Sequence, residues 1–551
     1  MTATTHPTGL VTAPVERRAA ANSLTGTSTM IRVVLRRNRI RLAVWWVVLV
    51  GLFAYVEAYY HDVLNTQAAL DDFAAVSDIP SIKAITGLAA APATLGGAVW
   101  TKIWMTCALS LAFGVVFLVT RNGRADEEVG RTELLRSRVL GLHAGSAASW
   151  LVTAALSVAV GAGVALVSAA GRLDPAGAGI TGSLIVGASM AAVGLVAIGI
   201  GALAGQASST SRGANALGSA IIGGFYLLRM VGDLGDGRLT WASPVGWAQQ
   251  MQPWGANRWW PFGLMVLLTA ALLVLALFLE ARRDFGAGLL PERRGHGGAP
   301  TRYATPLGLG LRLQRGPIIG WTLTIVLSAL MFGSVVEAMA DLISDAGGSV
   351  ADIIRGTGVD ALLSMLLSLI AMTTTVFAIQ TAVSLRTDEA SGIVEPQLAG
   401  ALSRTRWAAG RLLIPVVGSA ILLLVGGAGM GASYGSIVGQ SAQTGQLALA
   451  ALAYWPAVMV FVGIAVALFG WLPRLAIPLS WGVLAAMWFV LLIGDALHLP
   501  GWLLSVLPFS ATPYQPLEPL SWPPLVIMTV VAAALAWAGL SRFSRRDVQP
   551  G

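Results

Sequence analysis

Charge is what this 551-residue chain has least of: Asp, Glu, Lys and Arg together make 11% of it, against 56% hydrophobic residues. A soluble surface ordinarily needs about 25% charged residues, so a water-covered globular exterior is excluded. Cysteine is almost absent. Cys107 stands alone within an apolar run, which rules out an intrachain disulfide or a thiolate metal centre and leaves it as a small buried apolar side chain. Five scattered histidines (His6, His61, His143, His296 and His498) give a metalloenzyme little to build with. Lysine occurs twice, as Lys83 in S-I-K-A and Lys102 in W-T-K-I. Neither closes a G-x-x-x-x-G-K-[ST] phosphate loop, so no ATPase site lies in the chain and no cofactor is expected on it.

What is abundant is apolar runs of the ~20 residues needed to cross ~30 Å of hydrocarbon. The first, Leu42–Tyr60, is too long for a signal-peptide core and reads as a retained helix. Others fall near 99–119, 146–169, 182–205, 214–231 and 263–281, then near 318–338, 359–384, 411–432, 446–470, 475–494 and 524–541. The fold class is an all-α integral membrane protein of about 12 transmembrane helices. Arginines crowd alternate loops: Arg121, Arg124, Arg131, Arg136 and Arg138 after the second run, Arg386, Arg404, Arg406 and Arg411 after the eighth. The intervening loops are acidic, as 61–83 is with Asp62, Asp71, Asp72 and Asp78. By the positive-inside rule both termini are cytoplasmic. The net charge of +8 therefore speaks for orientation in a bilayer, with no nucleic-acid partner.

The halves repeat each other. R-A-D-E-E-V-G-R-T-E from Arg124 to Glu133 returns as R-T-D-E-A-S-G-I-V-E from Arg386 to Glu395, at an offset of 262. The same offset pairs Arg212 with Arg474, Gly232-Asp233 with Gly494-Asp495 and Trp260-Pro261 with Trp522-Pro523. Nearer the start of each half it drifts to 280, pairing Glu57 with Glu337. An even helix count per half makes these parallel six-helix repeats, a fused pseudo-dimer. The expected organisation is a cytoplasmic tail 1–41, disordered to about residue 29, then a repeat 42–284. A linker 285–317, a second repeat 318–541 and a tail 542–551 follow.

Two matching acidic loops on the cytoplasmic side point to docking of a duplicated partner, with the solvated salt-bridged helix as the plain alternative. The expected docking residues are Arg124, Asp126, Glu127, Gly130 and Glu133, with Arg386, Asp388, Glu389, Gly392 and Glu395. Pro396 follows Glu395 where the first copy has Leu134, so the second helix should start or kink differently.

Such a loop after the second helix of a six-helix unit resembles the coupling-helix region of ABC-2 type exporter permeases. The whole chain resembles their fused twelve-helix actinobacterial variety, the tetronasin-type antibiotic or multidrug exporters. Ser243–Trp254 (S-P-V-G-W-A-Q-Q-M-Q-P-W) is similar to the partly re-entrant stretch before the sixth helix there. The resemblance implies two separate ABC ATPase subunits, carrying ATP and Mg, seated on the two loops in the plasma membrane. It also implies a hydrophobic small-molecule or lipid cargo passing between helices. Trp100, Trp104, Phe225, Tyr226, Trp488 and Phe489 would face that path, with ordinary packing or lipid contact as the competing reading. Apart from the resemblance, Glu57 and Glu337, near the outer ends of the first helix of each half, are path candidates as carboxylates in the membrane region, reaching the interface being the alternative.

An ion-coupled secondary transporter is the first rival, disfavoured by helix centres nearly free of charge. A membrane-embedded transferase or a non-transporting scaffold would also fit the composition.

Overall fold

The computed structural model describes residues 23–78, 80–136, 140–175, 179–284, 286–289, 298, 300–346, 358–493 and 507–549. It separates into two compact units, Met1–Arg294 and Gly295–Gly551, the division falling inside the expected linker. Among the described residues every regular element is helical.

Unit 1 holds six long helices: α1 (Thr27–Val63), α2 (Leu95–Glu128), α3 (Ala144–Ala170), α4 (Thr181–Ala207), α5 (Ser211–Leu234) and α6 (Trp260–Arg282). Unit 2 holds α7 (Arg315–Ala346), α8 (Val359–Ala390), α9 (Arg404–Val438), α10 (Gln443–Trp471), α11 (Ala476–Ile493) and α12 (Trp522–Arg545). Eleven of these are long and apolar enough to cross a membrane among the described residues. The shorter α11 is apolar as well, and residues 494–506 after it lie outside the description, as does Asp495.

Each unit has its own core. In unit 1, α4 is buried along most of its length between α2, α3, α5 and α6. In unit 2, α10 takes that part against α8, α9 and α12. With no polar solvent to drive helices together, close contact depends on small residues. A Cβ on Gly161 of α3 or Gly187 of α4 would strike the other's carbonyl oxygen, and Gly470 and Gly539 bring α10 onto α12 in the same way.

Several boundaries differ from the apolar runs. Helix α1 begins at Thr27 rather than near residue 42, so the basic stretch Arg32–Arg41 is helical and continuous with the span. The presumed loop 61–83 contains a helix at Gln67–Ser77, capped by Thr66 accepting from the Ala69 amide. The linker holds Pro306–Leu313, capped by Thr305. Within the expected C-terminal tail, residues 542–545 continue the last turn of α12, which ends at Arg545.

Candidate functional site

At one end of each unit the sequence's repeated loop follows the second long helix, and arginines crowd this basic end. In unit 1, α2 bends at Gly123 into Arg124–Glu128 and is followed by Arg131–Arg136. In unit 2, Ser384–Ala390 is followed by Val394–Leu398. The joint in both is a glycine in the left-handed region, Gly130 at φ +72 and Gly392 at φ +73. A side chain there would be strained, which accounts for glycine in both copies. Pro396 brings no kink. It sits in the first turn of its helix, where the amide has no helical acceptor in any case.

Two of the expected docking carboxylates, Glu127 and Glu389, are turned inward rather than presented to solvent. Glu127 accepts from Arg124 Nη1 at 2.7 Å and from Arg283 Nη2 at 2.8 and 2.9 Å. Glu389 accepts from Arg386 Nη1 at 3.1 Å, from Arg546 at 2.5 and 2.9 Å, and from the Gln549 amide at 3.0 Å. Glu389 is fully buried, and Arg124 is 3% exposed. Each loop arginine also holds a backbone carbonyl: Arg124 through its other nitrogen, Nη2, to Gly286 at 2.7 Å, and Arg386 through the same Nη1 to Gln549 at 2.7 Å. Each loop is thus clamped to residues just past the end of its unit's last helix by two arginines sharing one glutamate. Bidentate guanidinium–carboxylate pairing is the strong, geometrically specific form of this bond.

The clamping arginines, Arg283 and Arg546, escaped the sequence reading. They stand 263 residues apart, one out of step with the loops, and at the ends of apolar runs where arginine reads as topology.

The aspartates differ between the units. Asp126 pairs with Arg37 of α1 at 2.7 Å and with Arg131 at 3.4 Å. Asp388 pairs with Arg411 of α9 at 2.8 Å, and Arg411 is 1% exposed. Glu128, not singled out from sequence, accepts from the Ser211 amide and hydroxyl at 3.0 and 2.7 Å, capping the N-terminus of α5. Left exposed on the loops are Glu133 and Glu395, together with the aliphatic Val129 (63% exposed) and Ile393 (41%).

The aromatic residues proposed for a path are packed differently. Trp100 and Trp104 stack at 4.0 Å within a π-helical turn, both buried, and the Trp104 indole donates to Ser189 Oγ at 2.9 Å. They belong to the core of unit 1. Phe225 borders an apolar cavity of only ≈ 20 Å³ with Ile222, Val245 and Met265, about the size of one water. Tyr226 donates to the Ile85 carbonyl at 3.1 Å and lies 4.8 Å from the Arg229 guanidinium. Trp488 is half-buried against the core of unit 2. Glu57 lies 3.7 Å from His61, beside an open recess that includes Arg172. The side chains of Phe489 and Glu337 lie outside the described residues.

A second polar cluster, at the opposite end of unit 1, gathers on Asp233, which the sequence marked only as part of the repeat. Arg229, fully buried, donates to Asp233 at 3.0 Å and to the Ala84 carbonyl at 2.8 Å. Thr240 and Gln249 donate to Asp233 at 2.8 and 3.1 Å. The network ties α5 to the Ser243–Trp254 segment and to residues 84–85.

These features define a polytopic α-helical membrane protein with two clamped loops at one end. Residues 303–544, nearly all of unit 2, match the family model described as the C-terminal domain of multidrug efflux system permease Rv1217c. Over 539 residues the chain is 35% identical to the multidrug efflux system permease protein Rv1217c of Mycobacterium tuberculosis, covering 96% of each. The chain belongs to this permease family.

Proposed function

We propose that the chain is the membrane subunit of an ATP-driven exporter of the ABC-2, tetronasin-like type. Two separate ATPase subunits, which carry the ATP and Mg, dock on the two loops at the basic end. That end is the cytoplasmic face of the plasma membrane, with both chain termini on it. Hydrophobic or amphiphilic compounds (antibiotics, drugs or lipids) leave from the opposite face. The name of the mycobacterial relative, a multidrug efflux permease, supports this cargo class.

The observation that carries the reading is the duplicated clamp. Arg124–Glu127–Arg283 and Arg386–Glu389–Arg546 hold two like-built loops at the like end of two units, as a pair of identical or related partners requires. The clamp also changes the docking surface expected from sequence. Glu127 and Glu389 are internal, so contact passes to the exposed Val129, Glu133, Ile393 and Glu395. Because each loop is bonded to the end of α6 or α12, a loop displaced by ATPase closure moves the last helix of its unit together with the second.

The test is co-purification from the native host in mild detergent, with mass spectrometry of what accompanies the chain. A polypeptide carrying Walker motifs should accompany the wild type, and Val129→Asp with Ile393→Asp should lose it at unchanged permease yield and elution volume. Absence of any such ATPase from the wild type would remove the reading.

A further inference from the structure

Between α1 and α3 of unit 1 runs a groove of ≈ 330 Å³ whose lining is almost wholly apolar, with Leu35, Leu42 and Trp46 on one wall and Leu151, Ala155 and Ala159 on the other. The alanines of α3 leave it concave. Its inner end is fixed by the Trp46 indole, which donates to the Ala159 carbonyl at 2.9 Å. Just beyond, Gly163 lets Val50 and Trp46 close against α3, ending the groove. The lining on α1 runs from Ile31 to Trp46, ~22 Å at 1.5 Å per residue.

Toward the basic end the same helix carries Arg32, Arg36 and Arg39. Their i, i+4, i+7 spacing puts them in one stripe, which runs along the edge of the groove's α1 wall, with Arg39 about one turn from both Leu35 and Leu42. All three are exposed, and among the described residues none has an ion-pair partner. Arg37, off this stripe, is the α1 arginine engaged by Asp126. In the groove itself Leu35, Trp46 and Leu151 are 50%, 41% and 54% exposed, so it opens to hydrocarbon. Farther along α1, on the helix's other face, Val44, Val47 and Val48 are each more than half exposed and also face lipid.

An apolar slot, flanked toward its basic end by three cations without ion-pair partners among the described residues and open sideways to the bilayer, complements one chemistry. We propose that it holds an acyl chain of an anionic phospholipid from the surrounding leaflet, with the phosphate against the Arg32–Arg36–Arg39 stripe. Basic residues beside a span attract anionic headgroups, and the groove makes that attraction a site. This inference does not depend on the exporter reading.

The experiment purifies the full chain in mild detergent and quantifies bound phosphatidylglycerol and phosphatidylethanolamine per protein by mass spectrometry. Wild type should retain phosphatidylglycerol with an enrichment on the order of tenfold over its share of the host membrane. Arg32→Gln/Arg36→Gln/Arg39→Gln, all at exposed positions, should abolish the preference. Ala155→Phe, filling the slot with the arginines intact, should lower retained lipid. Thermal denaturation supplies a second readout: phosphatidylglycerol micelles should stabilise wild type more than phosphatidylcholine micelles or free inorganic phosphate, and the triple variant should lose that difference. Equal retention of the two lipids by wild type, an unchanged preference in the triple variant, or equal protection by inorganic phosphate would each overturn the proposal.

Discussion

The two units agree at one end and part company at the other. At the basic end both bury a glutamate between a loop arginine and an arginine just past the last helix. Around that shared core the supports differ: Asp126 leans on α1, Asp388 on α9, and Glu128 caps α5 where unit 2 has Ala390. At the opposite end unit 1 builds its buried Arg229–Asp233 network, while Leu491 stands 262 residues after Arg229. A buried ion pair is weak evidence for stability, since desolvation offsets its Coulomb attraction, but losing one partner strands a charge. The clamps therefore specify where each loop sits more than they strengthen the fold. Only unit 1 carries a comparable fixture at the far end among the described residues.

Breaking the shared feature should have the largest effect. Glu389→Ala would strand Arg386 and Arg546 in a fully buried site, at a cost of about 3–5 kcal/mol. In detergent it should lower the midpoint of thermal aggregation more than any other single change described here. Charge exchange, Glu389→Arg with Arg546→Glu, should recover part of that loss, which a purely steric role would not allow.

Making unit 1 resemble unit 2 comes next. Arg229→Leu strands Asp233 and should destabilise by a similar class of penalty, about 3 kcal/mol. Adding Asp233→Asn should return most of it, measured by the same thermal assay. Little difference between single and double variants would mean that Asp233 is satisfied without Arg229.

The aspartates sharpen the comparison further. Asp388→Asn leaves Arg411 nearly fully buried without its carboxylate, whereas Asp126→Asn frees Arg37, whose side chain is 31% exposed. The first should cost roughly 2 kcal/mol or more and the second under about 1 kcal/mol. Equal thermal shifts would contradict the asymmetry. Smallest of all, Val129→Asp and Ile393→Asp should change stability by less than about 0.5 kcal/mol, as surface substitutions usually do, and act only on partner binding.

The helices were legible because a bilayer demands long apolar runs, and the loops because charged residues are rare enough here for an ordered match to stand out. Helix ends were less legible. The arginines of α1 read as a loop signal, yet Thr27–Val63 is one helix, since arginine is a good helix former. Glu127 and Glu389 looked like docking carboxylates because sequence displays the i, i+3 partner on the same loop and hides Arg283 and Arg546, more than 150 residues away. Arg229 passed unnoticed for the opposite reason. A single arginine four residues before an aspartate near a helix end looks like a surface pair, and only Thr240, Gln249 and the Ala84 carbonyl closing over it make it a buried site. The tryptophans at 100 and 104 carry no sequence mark distinguishing a path from a core; stacking and the Ser189 bond place them in the core.

The most direct test of the central claim is site-specific crosslinking at the two loops in living cells. Cys107 is fully buried, so a cysteine introduced at Val129 or Ile393 is the accessible thiol for a short photoactivatable crosslinker. The account predicts that both positions capture an ABC-type ATPase polypeptide, and that a cysteine at Val47, on the lipid-facing side of α1, does not. Capture at neither loop, with the permease inserted and folded, would contradict it.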